Sequence, residues 1–423
     1  MISLLGISAA GEALAQAPPI DWQKVFGGSA NDEPSCVLLT ADSGFIFGGY
    51  SSSGATGDKT DASRGDTDIW LVKTDKHGVI QWDRTIGGSR GDNLTDIKAT
   101  ADGGLIMLSN SNSGISGEKA DTNRAQAGRG GSPEPDYWVI KTNADATVID
   151  WQKTFGANST ERPASILTLQ DGYVVTGYSR SNNVSDKTID RFHPSAIYDF
   201  WILKLDLTGN VVWQTVIGGT GDDYLSKGIV TSDGNIVVGG YVNGAADSSR
   251  TDTSRGGSDY WVVKLNAATG GIIWDKTFGG ANSDVLSSLM ETSDGGLLLV
   301  GGSESYMSGD KSEDYMGANT KDYWIIKTDD TGRIEWDRTY GGTSNDEPNA
   351  VVQTPDGGYL IAGISLSDST GYKNTNSNGG LDYWIIKLDA AGNLRWQTSA
   401  GGSGIDRANA LTLTTDGGFL VVG

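Results

Sequence analysis

The chain has 423 residues and a formal net charge of −21, with an isoelectric point near 4.4. A surface this acidic repels phosphate backbones and anionic membranes, so nucleic acid is excluded as the main partner. Cys36 is the single cysteine, which excludes an intrachain disulfide framework and a cysteine-based metal centre.

The first 20 residues differ in composition from the rest of the chain. Met1–Ala10 is mostly apolar, and Ala13–Ala17 places small residues at the spacing of a signal-peptidase site. We interpret residues 1–20 as a signal peptide remnant or, alternatively, as an N-terminal arm. No apolar run of ~18 residues follows, so we expect no membrane span and assign residues 21–423 to a single domain.

Tryptophan marks an internal repeat along this domain. Seven copies lie 60 to 69 residues apart: Trp22, Trp82, Trp151, Trp213, Trp274, Trp336 and Trp396. Six more precede the later copies by 12 or 13 residues: Trp70, Trp138, Trp201, Trp261, Trp324 and Trp384. The repeats therefore start near residues 21, 81, 150, 212, 273, 335 and 395, and such a period indicates a solenoid, a propeller or an array.

Each repeat contains four predicted strands, which we call a, b, c and d. Strand a leads into an Asp-Gly turn, a strong hairpin signal, and strand b is a continuous apolar run such as Leu297–Gly302. A long polar loop leads to strand c, which begins Asp-Tyr-Trp, and a short turn leads to strand d with the second tryptophan. Four antiparallel strands per ~60 residues predict an all-β fold, a β-propeller of four-stranded antiparallel blades.

The predicted strands are unequal in number. Strands a, b and d occur seven times, whereas strand c occurs six times, because Trp22 has no strand c before it. We therefore predict seven blades with the last one incomplete, closed by pairing of the N-terminal strand d with the C-terminal strands. The missing strand c is expected beyond residue 423.

Nearly all variation in repeat length lies in the loop between strands b and c. From the Asp-Gly turn to the next strand c tryptophan the spacing ranges from 28 to 36 residues, whereas the c-to-d spacing varies by one. Such loops fall on one rim of a repeat protein, often its binding face. Five side chains in these loops that stand outside the repeat are candidate ligand contacts: Phe192, His193, Tyr306, Tyr315 and Tyr372.

An acid follows each of the seven widely spaced tryptophans by ten residues: Asp32, Asp92, Glu161, Asp223, Asp284, Asp346 and Asp406. A ring of carboxylates would suit a hard cation such as calcium, and the Asp-rich b–c loops offer further oxygen ligands. Equal recurrence in every repeat instead favours a structural role, in which each acid accepts backbone N–H groups of its Gly-Gly loop. We expect no cofactor, with calcium as the alternative.

Few residues in the chain suit catalysis. The only histidines are His77 and His193, which excludes a multi-histidine metal centre, and no P-loop or dinucleotide-binding fingerprint occurs. The 53 acids leave room for a paired-carboxylate hydrolase, yet nothing marks out one pair. We expect binding rather than catalysis. The alternatives are an extracellular polysaccharide-active enzyme with carboxylates in the central channel and a structural spacer.

The repeat resembles a known group of proteins. Trp-x-(Lys/Arg)-Thr-x-Gly-Gly, then Asp-Gly-Gly, then Asp-Tyr-Trp-x-x-Lys-x-Asp, resembles tryptophan-rich secreted repeat proteins of Bacteroidetes-type bacteria. Leu299–Gly302 also resembles kelch blades, and Leu265–Trp274 resembles pyrroloquinoline-quinone-type propeller repeats. The first resemblance implies export, in that group often as type IX secretion cargo.

The predicted function combines the repeat, the loops and this resemblance. We expect a protein secreted by a bacterium or held on its outer cell surface. It would act as a non-catalytic binding or interaction module through its variable b–c loops. The ligand would be a protein or a glycan, and we expect a monomer.

Overall fold

A computed structural model describes residues 2–7, 16–125, 133–192, 197–244, 250–318 and 320–423. It confirms an all-β β-propeller of four-stranded antiparallel sheets. Six sheets are complete blades, and a smaller, incomplete seventh sheet joins the two ends of the chain. The prediction of seven blades with the last one incomplete is therefore close to the observed ring.

The strands are numbered in chain order, and β1 (Ile2–Ile7) and β2 (Ile20–Phe26) precede the blades. Blade 1 contains β3 (Asp32–Leu39), β4 (Phe45–Ser51), β5 (Asp68–Thr74) and β6 (Ile80–Ile86). Blade 2 contains β7 (Asp92–Ala99), β8 (Leu105–Ser111), β9 (Asp136–Thr142) and β10 (Ile149–Phe155). Blade 3 contains β11 (Glu161–Leu169), β12 (Gly172–Ser179), β13 (Asp199–Leu205) and β14 (Val211–Ile217).

The second half of the ring repeats the same order. Blade 4 contains β15 (Asp223–Val230), β16 (Ile236–Val242), β17 (Asp259–Leu265) and β18 (Ile272–Phe278). Blade 5 contains β19 (Asp284–Glu291), β20 (Leu297–Ser303), β21 (Asp322–Thr328) and β22 (Ile334–Tyr340). Blade 6 contains β23 (Asp346–Gln353), β24 (Tyr359–Ser365), β25 (Asp382–Leu388) and β26 (Leu394–Ala400), and β27 (Ala410–Leu413) and β28 (Phe419–Val422) follow.

The hairpins follow from local sequence, as blade 5 illustrates. Asp294 Oδ1 accepts hydrogen bonds from Thr292 Oγ1 at 2.5 Å and Gly296 N at 3.2 Å. Gly295 adopts a φ of +84°, which glycine reaches without steric cost. The chain therefore reverses directly into β20, whose seven residues are all buried because the blade packs against both neighbours.

Strand a of every sheet lies on the inside of the ring, and in the closing sheet this strand is β27. Each strand a contacts the strands a of both neighbouring sheets. Side chains also link these inner strands across sheets. Asn349 Nδ2 donates to Ala408 O at 2.9 Å, and Asn409 Nδ2 donates to Pro34 O at 3.0 Å. The second bond joins opposite ends of the chain and helps to close the ring around a central channel.

The closing sheet has the strand order β2-β1-β28-β27. β1 pairs with β28 from Leu4–Val422 to Ile7–Phe419, and with β2 on its other side. Residues 2–7 thus occupy the strand c position, which we expected to be filled from beyond residue 423. An apolar run such as Ile2–Ile7 suits a central strand. The assignment of residues 1–20 to a signal peptide remnant or an arm stays a prediction.

The two tryptophans of each repeat differ in environment. Those of strand c are at most 1% exposed, whereas those of strand d are half-buried. Five of the seven strand d rings pack on a turn glycine of the next sheet, namely Trp22, Trp151, Trp213, Trp274 and Trp336. A Cβ atom on Gly209 would lie 2.8 Å from Trp151, and one on Gly392 would lie 2.8 Å from Trp336. These five c–d turns therefore need glycine for this approach as well as for positive φ, whereas the turn of blade 2 has Ala146 at a φ of +54°.

Candidate functional site

The b–c loops differ in length but share one anchor. In blade 5, Asp337 on β22 accepts hydrogen bonds from Trp324 Nε1 and from Ser312 N, both at 3.0 Å. In blade 2, Gln152 takes the same two roles, accepting from Trp138 Nε1 at 3.0 Å and Ala120 N at 2.9 Å. The same contacts recur with four further acceptors: Asp83, Gln214, Asp275 and Gln397. The ninth residue of each b–c loop is therefore fixed to its own blade.

A buried basic side chain precedes each anchored loop residue and is at most 3% exposed: Lys59, Lys119, Lys187, Arg250, Lys311 and Lys373. Lys119 Nζ donates to Thr154 Oγ1 at 2.6 Å and lies 4.7 Å from the Trp138 ring centroid. Burial lowers the pKa of Lys119 and of Lys311 to about 8. Nearby carboxylates raise both pKa values, but by less than burial lowers them. These residues hold the loops down over the strand c tryptophans.

The structure places the seven repeated acids at the junctions between sheets. Each accepts a hydrogen bond from the backbone N–H four residues earlier, as Asp284 does from Gly280 at 2.7 Å. The other six bonds are made by the following acids: Asp32, Asp92, Glu161, Asp223, Asp346 and Asp406. In blade 5 the same Asp284 oxygen also accepts from Ser305 Oγ at 2.9 Å, which ties the b–c loop to it.

A second buried aspartate begins strand c of each blade, and it explains the Gly-Gly pairs. Asp322 Oδ2 accepts from Met316 N at 2.6 Å, and a Cβ atom on Gly341 would lie 2.2 Å from Asp322 Oδ1. Burial raises the pKa of Asp322 to about 7, and the nearby Asp346 carboxylate adds to the effect. The repeated acid and the aspartate that begins strand c therefore hold the loops in place in every blade.

The described residues contain no group of three or more histidine, cysteine, aspartate or glutamate side chains placed to hold a metal ion. They also form no helix long and apolar enough to cross a membrane. Calcium binding stays a prediction, since the acids discussed above also serve loop geometry.

The loop residues predicted as ligand contacts are scattered. Phe192 is 36% exposed, and its backbone N–H donates to Asp199 at 2.6 Å. Tyr306 is 50% exposed, and Tyr315 is half-buried in the same blade 5 loop. Tyr372 is 42% exposed and packs edge-on against Tyr340 at 5.1 Å between ring centroids. His193 lies outside the described residues. Phe192 belongs to blade 3, so these side chains come from three different blades.

Chemical variety is concentrated instead around the opening of the central channel on the loop rim. The residue after each repeated acid is the second residue of an inner strand in the six blades and precedes β27 in the closing sheet. Its identity changes around the ring: Glu33, Asn93, Arg162, Tyr224, Val285, Glu347 and Arg407. In the six blades it pairs with a residue near the end of strand b: Tyr50, Asn110, Tyr178, Tyr241, Gly302 and Ile364. We call the opening lined by these side chains the channel mouth.

Four tyrosines cluster at the channel mouth between blades 3 and 4. Tyr224 lies 5.3 Å from both Tyr178 and Tyr198, and 5.0 Å from Tyr241, between ring centroids. Tyr178 and Tyr198 meet edge-on at 5.3 Å. All four rings are half-buried, so each keeps part of its surface at the rim. We call this set the tyrosine quartet.

The quartet was missed in the sequence because only aromatic residues outside the repeat were considered. Its members stand inside the repeat, at positions where other blades carry different residues. The position of Tyr224 holds Glu33 in blade 1, and that of Tyr198 holds Thr67. A position-by-position comparison of the repeats would have revealed the excess of tyrosine in blades 3 and 4.

The tyrosine quartet offers aromatic surface together with phenol hydroxyl groups. Burial, followed by the charge of Asp222, raises the pKa of Tyr224 to about 12, so its phenol stays neutral. Burial likewise raises the pKa of Tyr178 and of Tyr241. Half-buried neutral phenols present both a ring face or edge and a hydroxyl donor, which suits stacking combined with hydrogen bonding.

Comparison with known proteins supports the fold alone. No family model matches the chain. The regulatory protein FlaEY of Caulobacter vibrioides is 25% identical over 192 residues, which cover 44% of this chain and 20% of that protein. The chain therefore matches about a fifth of the length of this relative.

Two solved structures also resemble the propeller. Hydrazine synthase of Kuenenia stuttgartiensis superposes with a TM-score of 0.50 at 11% identity, covering 93% of each chain. Quinohemoprotein alcohol dehydrogenase ADHIIG of Pseudomonas putida HK5 gives a TM-score of 0.47 at 8% identity, covering 94% of this chain and 75% of that one. At 11% identity the similarity to hydrazine synthase concerns architecture alone.

Proposed function

We propose that the protein is a non-catalytic binding module, secreted or held on a bacterial cell surface, that binds glycans at the channel mouth. The observation that carries the proposal is the contrast between a repeated scaffold and an unrepeated mouth. Three features recur in every blade: the strand d acceptor that anchors the b–c loop, the buried lysine or arginine of that loop, and the two buried acids. The residues at the channel mouth instead differ from blade to blade. Because the loops are already fixed, little conformational entropy would be lost when a ligand binds to the residues at the mouth.

The tyrosine quartet favours a glycan over a protein as the ligand. Sugar rings have apolar C–H faces and hydroxyl edges, which match half-buried tyrosines and neighbouring polar side chains. The quartet forms one aromatic cluster at the channel mouth, whereas the exposed loop aromatics stand apart on separate blades. The strongly acidic surface favours neutral over anionic polysaccharides.

Affinity electrophoresis of the full chain through gels containing neutral or anionic polysaccharides tests this proposal. We expect retardation in at least one neutral polysaccharide, and loss of it in the double variant Tyr198→Ala and Tyr241→Ala. The matched control removes two loop tyrosines away from the quartet, Tyr306→Ala and Tyr372→Ala, and should keep the retardation.

Three results would contradict the proposal. These are no retardation in any polysaccharide, equal loss in the control variant, and release of new reducing ends from a retained polysaccharide. The last result would support the polysaccharide-active enzyme that the sequence left as an alternative. Retention of a purified protein ligand without glycan binding would assign the mouth to protein recognition.

A further inference from the structure

The channel mouth has an open groove between blades 1 and 2, at the place where tyrosines fill the groove between blades 3 and 4. In blade 4 the paired positions of the first two strands hold Tyr224 and Tyr241. In blade 2 the same positions hold Asn93 and Asn110. Replacing two large rings with two amides leaves a cavity of about 380 Å³.

Six of the nine residues that line the cavity have neutral hydrogen-bonding side chains, one has a carboxylate, and Pro34 and Leu94 add apolar surface. Glu33 and Tyr50 form one wall, where the Tyr50 hydroxyl donates to Glu33 Oε2. Asn93 and Asn110 form the opposite wall, and Asn409 of the closing sheet completes it. Glu33 is the single charged residue among those that line the cavity.

The side-chain oxygen of one residue that lines the cavity, Asn110, is shielded from water and has no hydrogen-bond donor in the described part of the chain. Asn110 Oδ1 is buried and accepts no hydrogen bond from any described residue. Turning the amide over would leave a donor unpaired in place of an acceptor. An unsatisfied buried polar group costs roughly 1–3 kcal/mol, so a rotation of the Asn110 side chain that pairs Oδ1 with a ligand donor in the cavity would be favourable.

The other polar groups are already oriented by partners within the protein. Asn93 Oδ1 accepts from Thr67 Oγ1 at 2.6 Å, and Asn409 Nδ2 donates to Pro34 O at 3.0 Å. Glu33 accepts from Tyr50, whose pKa is raised to about 12 by burial and by that carboxylate. These contacts hold amide and phenol groups in place before a ligand arrives, which lowers the entropic cost of binding.

We propose that this cavity is a binding subsite for one neutral sugar unit of a glycan. The inference rests on the proposed function, because it names the ligand class of the same channel mouth. The volume falls within the ~300–1,000 Å³ typical of small-ligand sites. Vicinal hydroxyls suit Asn110, the free carboxylate lone pairs of Glu33 and the partly exposed ring of Tyr50. A uronate would bring its charge towards Glu33 and would be disfavoured.

Titration of the full chain with methyl hexosides, followed by ligand-observed NMR and calorimetry, tests the subsite. The panel contains the methyl glycosides of glucose, galactose and mannose, with methyl glucuronide as the anionic comparator. We expect binding of at least one neutral hexoside and at least tenfold weaker binding of the glucuronide.

Two variants probe the cavity directly. Asn110→Tyr introduces one of the two tyrosines that blade 4 has at these paired positions, so the fold should accept it while the ring fills part of the space, and hexoside binding should fall at least tenfold. Glu33→Gln keeps the shape and should weaken binding about fivefold through loss of a charge-assisted hydrogen bond. The matched controls lie outside the channel mouth, with Val79→Tyr in the exposed c–d turn of blade 1 and Glu335→Gln on the outer strand of blade 5, and they should leave the hexoside affinity within twofold of wild type.

Each outcome bears on one proposal or the other. Absence of hexoside binding by the wild type, or unchanged binding by folded Asn110→Tyr, would overturn the subsite. Equal affinity for the glucuronide would overturn the assignment to neutral sugars. If polysaccharide retention depends on Tyr198 and Tyr241 while Asn110→Tyr has no effect, the subsite fails and the proposed function stands. If hexosides depend on Asn110 and the tyrosine variants change nothing, the cavity stands and the quartet is not part of the site.

Discussion

Replacement of Asp337 by alanine should release the b–c loop of blade 5 while leaving the ring intact. Asp337 is 5% exposed and accepts from Trp324 Nε1 and Ser312 N, both at 3.0 Å, and from Ser312 Oγ at 2.5 Å. The alanine variant leaves the fully buried indole N–H of Trp324 without an acceptor, at a cost of roughly 1–3 kcal/mol. Loss of the charge-assisted bonds to Ser312 adds a comparable amount.

The expected local destabilisation is about 3 kcal/mol, which corresponds to roughly 100-fold faster opening. Hydrogen–deuterium exchange followed by mass spectrometry measures it in peptides that contain Ser312. Asp337→Gln is the matched variant, because Gln152 makes the same two contacts in blade 2. It should restore most of the protection. Unchanged exchange at Ser312 in the alanine variant, or equal damage from glutamine, would refute the role assigned to this anchor.

Three further predictions concern packing, pH and the thiol. Gly341→Ala should lower the melting temperature, because the new Cβ would lie 2.2 Å from Asp322 Oδ1, whereas Gly114→Ala in open space should not. Asp322 has a pKa near 7 when folded and 3.8 as its reference value, so its contribution to stability falls as pH rises from about 4 to 7. Asp322→Asn should therefore reduce the difference between urea midpoints at pH 5 and pH 8, and an unchanged difference would contradict this assignment. Burial raises the pKa of the Cys36 thiol to about 12, so iodoacetamide at pH 8 should label the urea-unfolded chain and spare the folded one. Equal labelling in both states, measured by mass spectrometry, would show that the thiol is accessible.

The repeat was readable from the sequence because its cause is local. Strand alternation, Asp-Gly turns and the two tryptophans recur with a fixed spacing, and each acts within about 60 residues. Because these signals are local, the sequence also predicted four strands per blade and seven blades with the last one incomplete. It also led us to interpret the b–c loops as variable, although the ninth residue of each loop is held in place by a repeated acceptor such as Asp337.

The sequence by itself determined the architecture, since a blade is specified by hydrophobic pattern and turn chemistry within one repeat. Only the tertiary structure decided which side chains meet at the channel mouth, because ring closure brings together residues far apart in the chain. Asn409 hydrogen-bonds to the carbonyl of Pro34 across 375 positions of sequence, and the open groove beside it depends on three sheets at once. No local pattern encodes that juxtaposition. The candidate site therefore emerged from the closed ring, whereas the scaffold that holds it was evident in the repeat.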